Sequence, residues 1–409
     1  MRLFRVSFTL VFLLLSAFVA GAQTDSPQLT HMVRGTVVDA RSGALLPAVS
    51  VRVSGRNHAT VSNADGGFVI KSDKPIRTLL FSCLGYKTLS LPVSGEVVLA
   101  RLAADKYLLD ASTIVAGNPW EIVRSATELI PDNYPDRPEL LKCFYRETLQ
   151  KRNRYISVSE AVSRVFKLPY DRPGRSDRTA LDKSRFIVSQ RKRDTLSVKL
   201  MGGPTLSCTA DAVKNRDLLL DDMAEGLYEL QLGAPVYIGD RLQFVIHFSP
   251  ACAVDYALYN GTLYIDRERL FFTRIELSMD MQDPALATRQ LLVKKPLSLR
   301  FTPKEVSLVM SYRYDGQTCR LDYLRSVIRF NCDWKKRMLA TSYTVTNETV
   351  VTDLVEPAHP IPWSEQFRTS DFMSDKAVEF LDPEFWKDYN IIAPSESLEH
   401  AVGRLQRTR

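Results

Sequence analysis

The sequence predicts a mainly β chain: a small N-terminal β-sandwich, a short linker helix, then a larger curved antiparallel β-sheet, half-barrel-like, with a short helical tail. Three observations carry this. Apolar and polar residues alternate with a period of two over many short runs. Gly, Asn, Asp and Pro punctuate those runs. No helical pattern interrupts the first group of strands. The expected boundaries are 1–22 for a leader, 31–102 for the sandwich, 103–148 for the linker, 149–355 for the larger sheet and 356–409 for the tail. A chain of 409 residues, 45% hydrophobic and 25% charged, has the composition of a globular protein with a sizeable core.

The leader comes first. Arg2 and Arg5 form a basic start, Phe8 to Val19 an apolar run, and Ala20-Gly21-Ala22 a small-residue cleavage site before Gln23. This is the pattern of a secretory signal peptide, which sends the chain to an exported location in the periplasm or at the periphery of an outer membrane. No cysteine lies near the cut, so lipid attachment is not indicated, and no later run is long and apolar enough for a transmembrane helix. The net charge of +7 falls to +5 without Arg2 and Arg5. That excess is too diffuse to indicate nucleic acid as a partner.

In the sandwich, Val49, Val51 and Val53 alternate with Ser50, Arg52 and Ser54. Phe68 and Ile70 follow a turn at Asn63-Ala64-Asp65-Gly66-Gly67, and Leu79, Phe81, Cys83, Leu89, Leu91 and Val93 continue the alternation. The turn residues Asp39 and Asp65 are too far apart in sequence for the clustered oxygens that calcium requires, and read as turn formers. The linker helix starts at Asn118-Pro119-Trp120-Glu121, a capping Asn with Pro at the first helical position. Its Ile122, Ala126 and Leu129 share a face, and Pro131 is expected to end it.

The larger sheet is read from Leu242 to Phe248, Leu263 and Ile265, Phe271 to Met279, and Val306 to Tyr314, each with one apolar face. Val158, Val162 and Val165 fit a helix or a strand. In the tail, Asp382-Pro383 and Ala393-Pro394 are helix starts, and Leu398, Ala401 and Leu405 share a face. These helices are expected to pack on the larger domain or cover an open sheet edge.

Two resemblances follow from residues in order. Arg34 to Asp39, Gly43, Leu46 to Val51, Asn63 to Phe68, and Phe81 to Tyr86 resemble the carboxypeptidase regulatory-like domain. That resemblance implies a transthyretin- or immunoglobulin-like accessory sandwich, common in Bacteroidetes envelope proteins, with no catalytic residues to carry over. Asn133-Tyr134-Pro135, Phe144 to Glu147, Ser159 to Val162, Gly202-Gly203-Pro204, Tyr264 to Asp266 and Phe385 to Asn390 resemble uncharacterised exported proteins of the same group. This second likeness implies architecture and location and no defined activity.

The search for chemistry yields little. The histidines His31, His58, His247, His359 and His400 have no Glu or His three or four places on, so zinc-peptidase motifs are absent. G-x-S-x-G and Gly-Lys are absent too, which removes the nucleophile elbow and the P-loop. No catalytic, cofactor-binding or metal residue is assigned. The basic stretch Lys167 to Asp194 contains interspersed acids and reads as a solvated loop and strand edge. Spacing does not fix a pairing among six cysteines; Cys319 and Cys332, on what read as neighbouring strands, are the first candidate disulfide, with buried unpaired thiols as the alternative. Tyr237, Phe244, Phe271, Phe272, Tyr312 and Tyr314 are candidates to line an apolar pocket, with plain core as the alternative. The resulting expectation is a non-catalytic binding or adaptor protein, with an apolar ligand, a lipid, a glycan or another envelope protein as partner. The rival is a hydrolase whose site assembles only in three dimensions.

Overall fold

A computed structural model of the chain describes residues 29–105, 117–172, 177–191, 194, 196, 198–200, 202–334, 340–376 and 389–407. The signal peptide expected over 1–22, Pro173-Gly174, Arg175, Lys192, Arg193, Asp382-Pro383 and Phe385 to Asp388 lie outside these residues.

The first seven strands are β1 (His31–Asp39), β2 (Ser50–Val53), β3 (Ala59–Val61), β4 (Gly67–Ser72), β5 (Thr78–Ser82), β6 (Leu89–Pro92) and β7 (Val97–Leu102). They form two sheets, β4-β1-β7 and β3-β2-β5-β6. Val37, Val49, Val51, Phe68, Ile70, Leu79 and Phe81 fill the space between them, as the alternation predicts. The Asn63 carboxamide oxygen closes the turn by accepting from the N–H groups of Asp65 (2.9 Å) and Gly67 (2.8 Å). Gly66 has φ +67°, and a Cβ there would lie 2.6 Å from the Val37 carbonyl oxygen, so only glycine fits.

Helix α1 (Pro119–Glu128) starts where predicted: the Asn118 side chain accepts from the Trp120 N–H at 3.0 Å. It ends at Leu129, earlier than expected. Pro131 belongs instead to the first turn of α2 (Ile130–Asn133), where its missing N–H costs nothing.

The larger sheet begins at Glu139, within the stretch expected as linker. Its strands are β8 (Glu139–Lys151), β9 (Arg154–Lys167), β10 (Arg178–Val188), β12 (Tyr228–Leu232), β13 (Val236–Ile238), β14 (Arg241–Pro250), β15 (Tyr259–Asp266), β16 (Phe272–Met279), β18 (Leu299–Tyr314), β19 (Cys319–Trp334), β20 (Thr341–Val355) and β21 (Gln366–Phe367). The order is β12-β14-β15-β16-β18-β19-β20-β8-β9-β10-β21, with β13 on β14 and all neighbours antiparallel. β12 and β21 stay at opposite ends, so the sheet is open and not a closed barrel. A separate pair joins β11 (Lys199–Leu200) and β17 (Leu292–Lys294). Helices α3 (Leu206–Thr209), α4 (Leu220–Ala224), α5 (Pro284–Leu291), α6 (Met373–Lys376) and α7 (Glu396–Arg407) complete the described elements.

Each face of this sheet is covered differently. Cys143 of β8 packs with Cys208 of α3, on the helical face. Its neighbour Phe144 packs with Val61 of the sandwich and Ile392 of the tail. Val158, Val162 and Val165 are therefore all buried in one strand, β9, although their spacing also suits a helix. Burial of both faces erases the period-two signal.

The tail is a strap between the sandwich and the sheet. The Asn390 carboxamide accepts from the Lys71 N–H (2.6 Å) and donates to the Lys71 carbonyl (2.9 Å), imitating a strand pair. Thr60 Oγ1 donates to the Ile391 carbonyl at 2.8 Å and Asn63 Nδ2 to the Pro394 carbonyl at 2.8 Å. From the sheet, Arg146 Nη2 donates to the Ile392 carbonyl at 2.7 Å. Arg146 in turn pairs with the buried Glu160 at 2.7 Å, and Glu160 also receives Arg185. Leu398, Ala401 and Leu405 are buried beneath α7, the face read from their spacing.

The expected disulfide does not form. Cys319 and Cys332 open and close the same strand, β19, and all six cysteines are free thiols. Thirteen steps at about 3.3 Å place them roughly 40 Å apart, far beyond the reach of a disulfide.

Two predictions follow from the interface. Glu160→Gln leaves two arginines facing each other without a carboxylate. It is expected to cost about 3 kcal/mol, at the low end for a buried pair because Arg185 keeps contact with water; urea unfolding measures it. His58, on the sandwich, lies 3.4 Å from Asp353 of β20 and 3.1 Å from Asp73. Asp353, then Asp73, hold its imidazolium above the ordinary 6.5 against the opposing effect of burial. This contribution is complete below the unfolded value and is lost as pH rises through the higher folded one. Unfolding between pH 5.5 and 9 is expected to show that loss in the natural chain and not in His58→Gln.

Candidate binding cavity on the helical face

Odd-numbered residues of β8 point to the helical face, which places Tyr145, Glu147 and Leu149 in a row. Cross-strand register sets Asn347 of β20 beside Glu147, and Ser159 of β9 on its other side. The helices and loops that cover this face do not fill it. A cavity of about 280 Å3 remains, walled by Leu149, Ile156, Phe186, Val188, Leu196 and Val198. Glu147 and Asn347 supply polar groups at one side, with Gly202-Gly203 and the Asp371–Ser374 segment along the rim.

The polar side is a connected network. Tyr145 Oη lies 2.9 Å from Glu147 Oε2 and 2.8 Å from Asn347 Oδ1, and Asn347 Nδ2 donates to Ser326 Oγ at 3.0 Å. A phenol has one proton to give, so with the amide in this orientation it serves only one of the two oxygens. The network closes when Glu147 is protonated and donates to Tyr145, which donates to Asn347. Burial pushes the Glu147 carboxyl up in the same sense, against the Tyr145 hydrogen bond. The buried hydroxyls of Ser159 and Thr349, cross-strand neighbours of Glu147 and Tyr145, have no hydrogen-bond partner among the described residues. Of these polar groups Glu147 and Asn347 line the cavity itself, where Ser157, Ser189 and Asp194 add further polar atoms to a mainly aliphatic wall.

A second polar cluster on the same face is fully engaged. Asp211 accepts from Tyr170 (2.8 Å) and Tyr312 (2.7 Å) and pairs with Lys167 at 2.8 Å, which also reaches Asp177 at 3.2 Å. Burial pushes the neighbouring Cys143 thiol up, and that of Cys208 to about 12, so both stay protonated at neutral pH. The cluster's groups are occupied with one another.

The expected aromatic lining is divided. Phe271, Tyr312 and Tyr314 line a different cavity, of about 310 Å3, between the sandwich and the sheet. Phe272 is buried in the core, its carbonyl accepting from Tyr134 Oη at 2.9 Å, and Phe244 lies under the Arg267 guanidinium. Tyr237 sits on β13, its carbonyl accepting from the Gly85 N–H. Phe271 precedes β16 and stacks on Tyr314, while Phe272 opens the strand; both are fully buried in the same core cluster. Glu147, Asn347 and the Gly202-Gly203 rim carry no catalytic motif. The available signal was a glutamate in line with Cys143, Tyr145 and Leu149.

Within the basic stretch Lys167 is buried against Asp177 and Asp211, Arg185 meets Glu160 while keeping contact with water, and Arg172 and Arg191 are exposed; Asp182 and Asp194 take Arg164 and Arg154 from β9. The Asp39 carboxylate accepts from the N–H groups of Arg41 and Ser42 within its turn. Asp65 accepts from the Glu396 N–H at 2.7 Å. No group of three or more metal-ligating side chains occurs among the described residues.

Comparison with known proteins identifies the N-terminal part: residues 33–112 match the CarboxypepD_reg-like domain family. The sandwich is similar to that family over these residues. No curated protein matches the chain. Among solved structures, a LolA superfamily protein from Nitrosomonas europaea is 10% identical, over 59% of this chain and 96% of its own, with a TM-score of 0.24. A DUF1329 family protein from Desulfovibrio piger is 9% identical, over 57% and 94%, with a TM-score of 0.26. The MucA/MucB complex of Pseudomonas aeruginosa yields 12% identity over 60% and 100%, with a TM-score of 0.19. Superpositions this loose carry no functional argument. No helix among the described residues is long and apolar enough to cross a membrane.

The raised Glu147 carboxyl predicts a pH dependence. The folded chain holds this proton above the ordinary glutamate value of 4.5, so stability is greatest below that value and declines as pH rises through the folded one. Glu147→Gln keeps the neutral shape. Its stability relative to the natural chain is expected to grow between pH 4 and 8; parallel denaturation profiles would contradict this.

Proposed function

We propose that the chain is a non-catalytic binding protein of the cell envelope, holding a small, largely apolar ligand with one hydrogen-bonding group in the helical-face cavity. The observation that carries this reading is the meeting, in one cavity, of an aliphatic wall with Glu147 and Asn347, which Tyr145 links from behind. An apolar body is held by leaving water, at roughly 25 cal/mol per Å2 buried. The polar group is fixed by a carboxyl and a carboxamide whose own geometry is set by the sheet. The signal-peptide pattern of Arg2, Phe8 to Val19 and Ala20-Gly21-Ala22 supports an exported location. The CarboxypepD_reg-like domain, strapped to the other face, leaves the cavity clear and serves as an accessory support.

N-phenyl-1-naphthylamine, an uncharged apolar fluorophore with a single N–H, tests the reading. Saturable one-to-one fluorescence enhancement is expected with the natural chain. Leu149→Trp, which fills the cavity, is expected to weaken it at least about tenfold, the loss of one well-placed apolar contact surface. Equal binding by both proteins, or none by either, would refute the proposal.

A further inference from the structure

The other side of the sheet holds charges that its own residues do not balance. Arg52 of β2 points from the sandwich into the interface and lines two cavities, of about 310 and 520 Å3, on either side of its guanidinium. It is half-buried and makes no hydrogen bond or ion pair with a described residue. Arg313 of β18 lines the same two cavities. Its Nε lies 3.4 Å from Asp322 Oδ1 without hydrogen-bond geometry, and both atoms are buried with no hydrogen-bond partner. Asp322 is also held by Ser50 Oγ at 3.1 Å.

The other arginines of the 310 Å3 cavity have carboxylates of their own. Arg241 pairs with Asp266 and Arg274 with Glu276. Arg320 takes both Glu139, at 2.8 Å, and Asp315 of the wider cavity, and Asp240 is exposed at the rim. Asp322, and more weakly Asp315, support the Arg52 charge, but Asp322 pairs with Arg313 and neither carboxylate makes an ion pair with Arg52. Burying an unpaired cation is costly, and burial depresses Arg52 even though Asp322 supports its charge. The structure retains this cost at a place with room beside it.

From this geometry we infer that the cleft between the CarboxypepD_reg-like domain and the sheet binds a small organic monocarboxylate, clasped by Arg52 and Arg313. A contacting acceptor among the described residues is what the Arg52 guanidinium lacks. A planar carboxylate matches a guanidinium fork. Leu80, Leu84 and Ile238 of the 310 Å3 cavity provide apolar surface for its body. Entry is through the wider cavity, where Gly55, Asn57 and Gln317 are exposed. The site lies on the face opposite Glu147 and stands or falls separately from the ligand proposed there.

Ligand-observed NMR titration of benzoate into the natural chain, at constant ionic strength in chloride, tests the inference. Saturable binding is expected. Arg52→Met is expected to weaken it at least about tenfold, the loss of a hydrogen bond to a charged group. The same variant is expected to melt no lower than the natural chain without benzoate, since it removes an unpaired cation. Arg52→Lys, which keeps the charge and loses the fork, should fall between. N-acetylphenylalaninate, a mimic of a chain terminus, reports the source: equal binding points to a peptide end and weaker binding to a free acid, and both support a carboxylate site. The inference is overturned if benzoate binds no better than to Arg52→Met, if only inorganic phosphate binds, or if Arg52→Met melts lower in chloride alone.

Discussion

Strands β8, β9, β19 and β20 are buried on both faces, and that constraint organises the rest of the chain. Their backbone groups are satisfied within the ladder, so every side chain on either face must find its partner from outside the sheet. On one face the partners are α3, α4, α5 and the loops between them. On the other they are the CarboxypepD_reg-like domain and the strap from Asn390 to Glu396. Neither cover is continuous with the sheet, and the voids between cover and sheet are where binding capacity arises.

The polar groups at the two covers behave differently. Near Lys167 and Asp211, charges and phenols are matched one for another, and the cluster is a closed structural unit. Arg146, Glu160 and Arg185 likewise settle one another while fastening the strap. Beside Glu147 the buried hydroxyls of Ser159 and Thr349 go unserved, and the half-buried Arg52 guanidinium has no contacting acceptor among the described residues. Buried polar groups without partners are costly, which distinguishes these two places from the matched clusters.

The sandwich strands were legible residue by residue. Val49, Val51, Phe68, Ile70, Leu79 and Phe81 alternate in sequence and are buried as the alternation requires, because only one face of each small sheet is dry. The cap at Asn118 was legible for an equally local reason. The reading weakened in the large sheet. Val158, Val162 and Val165 lost their periodicity to burial on both faces, and Cys319 and Cys332 looked like neighbours on two strands when they terminate one. The expected pocket of six aromatics divided between core and cleft, since which face a strand residue takes depends on bulges such as the one between Ser311 and Tyr312.

Sequence alone determined the mainly β class, the N-terminal CarboxypepD_reg-like sandwich and the cap of the first linker helix. These rest on contacts between residues close along the chain. Tertiary structure alone decided that Glu147 meets Asn347, 200 residues later, and that Arg52 of the sandwich faces Arg313 of the sheet. Strand register and domain packing make those meetings, and neither is encoded in the spacing of the residues that take part.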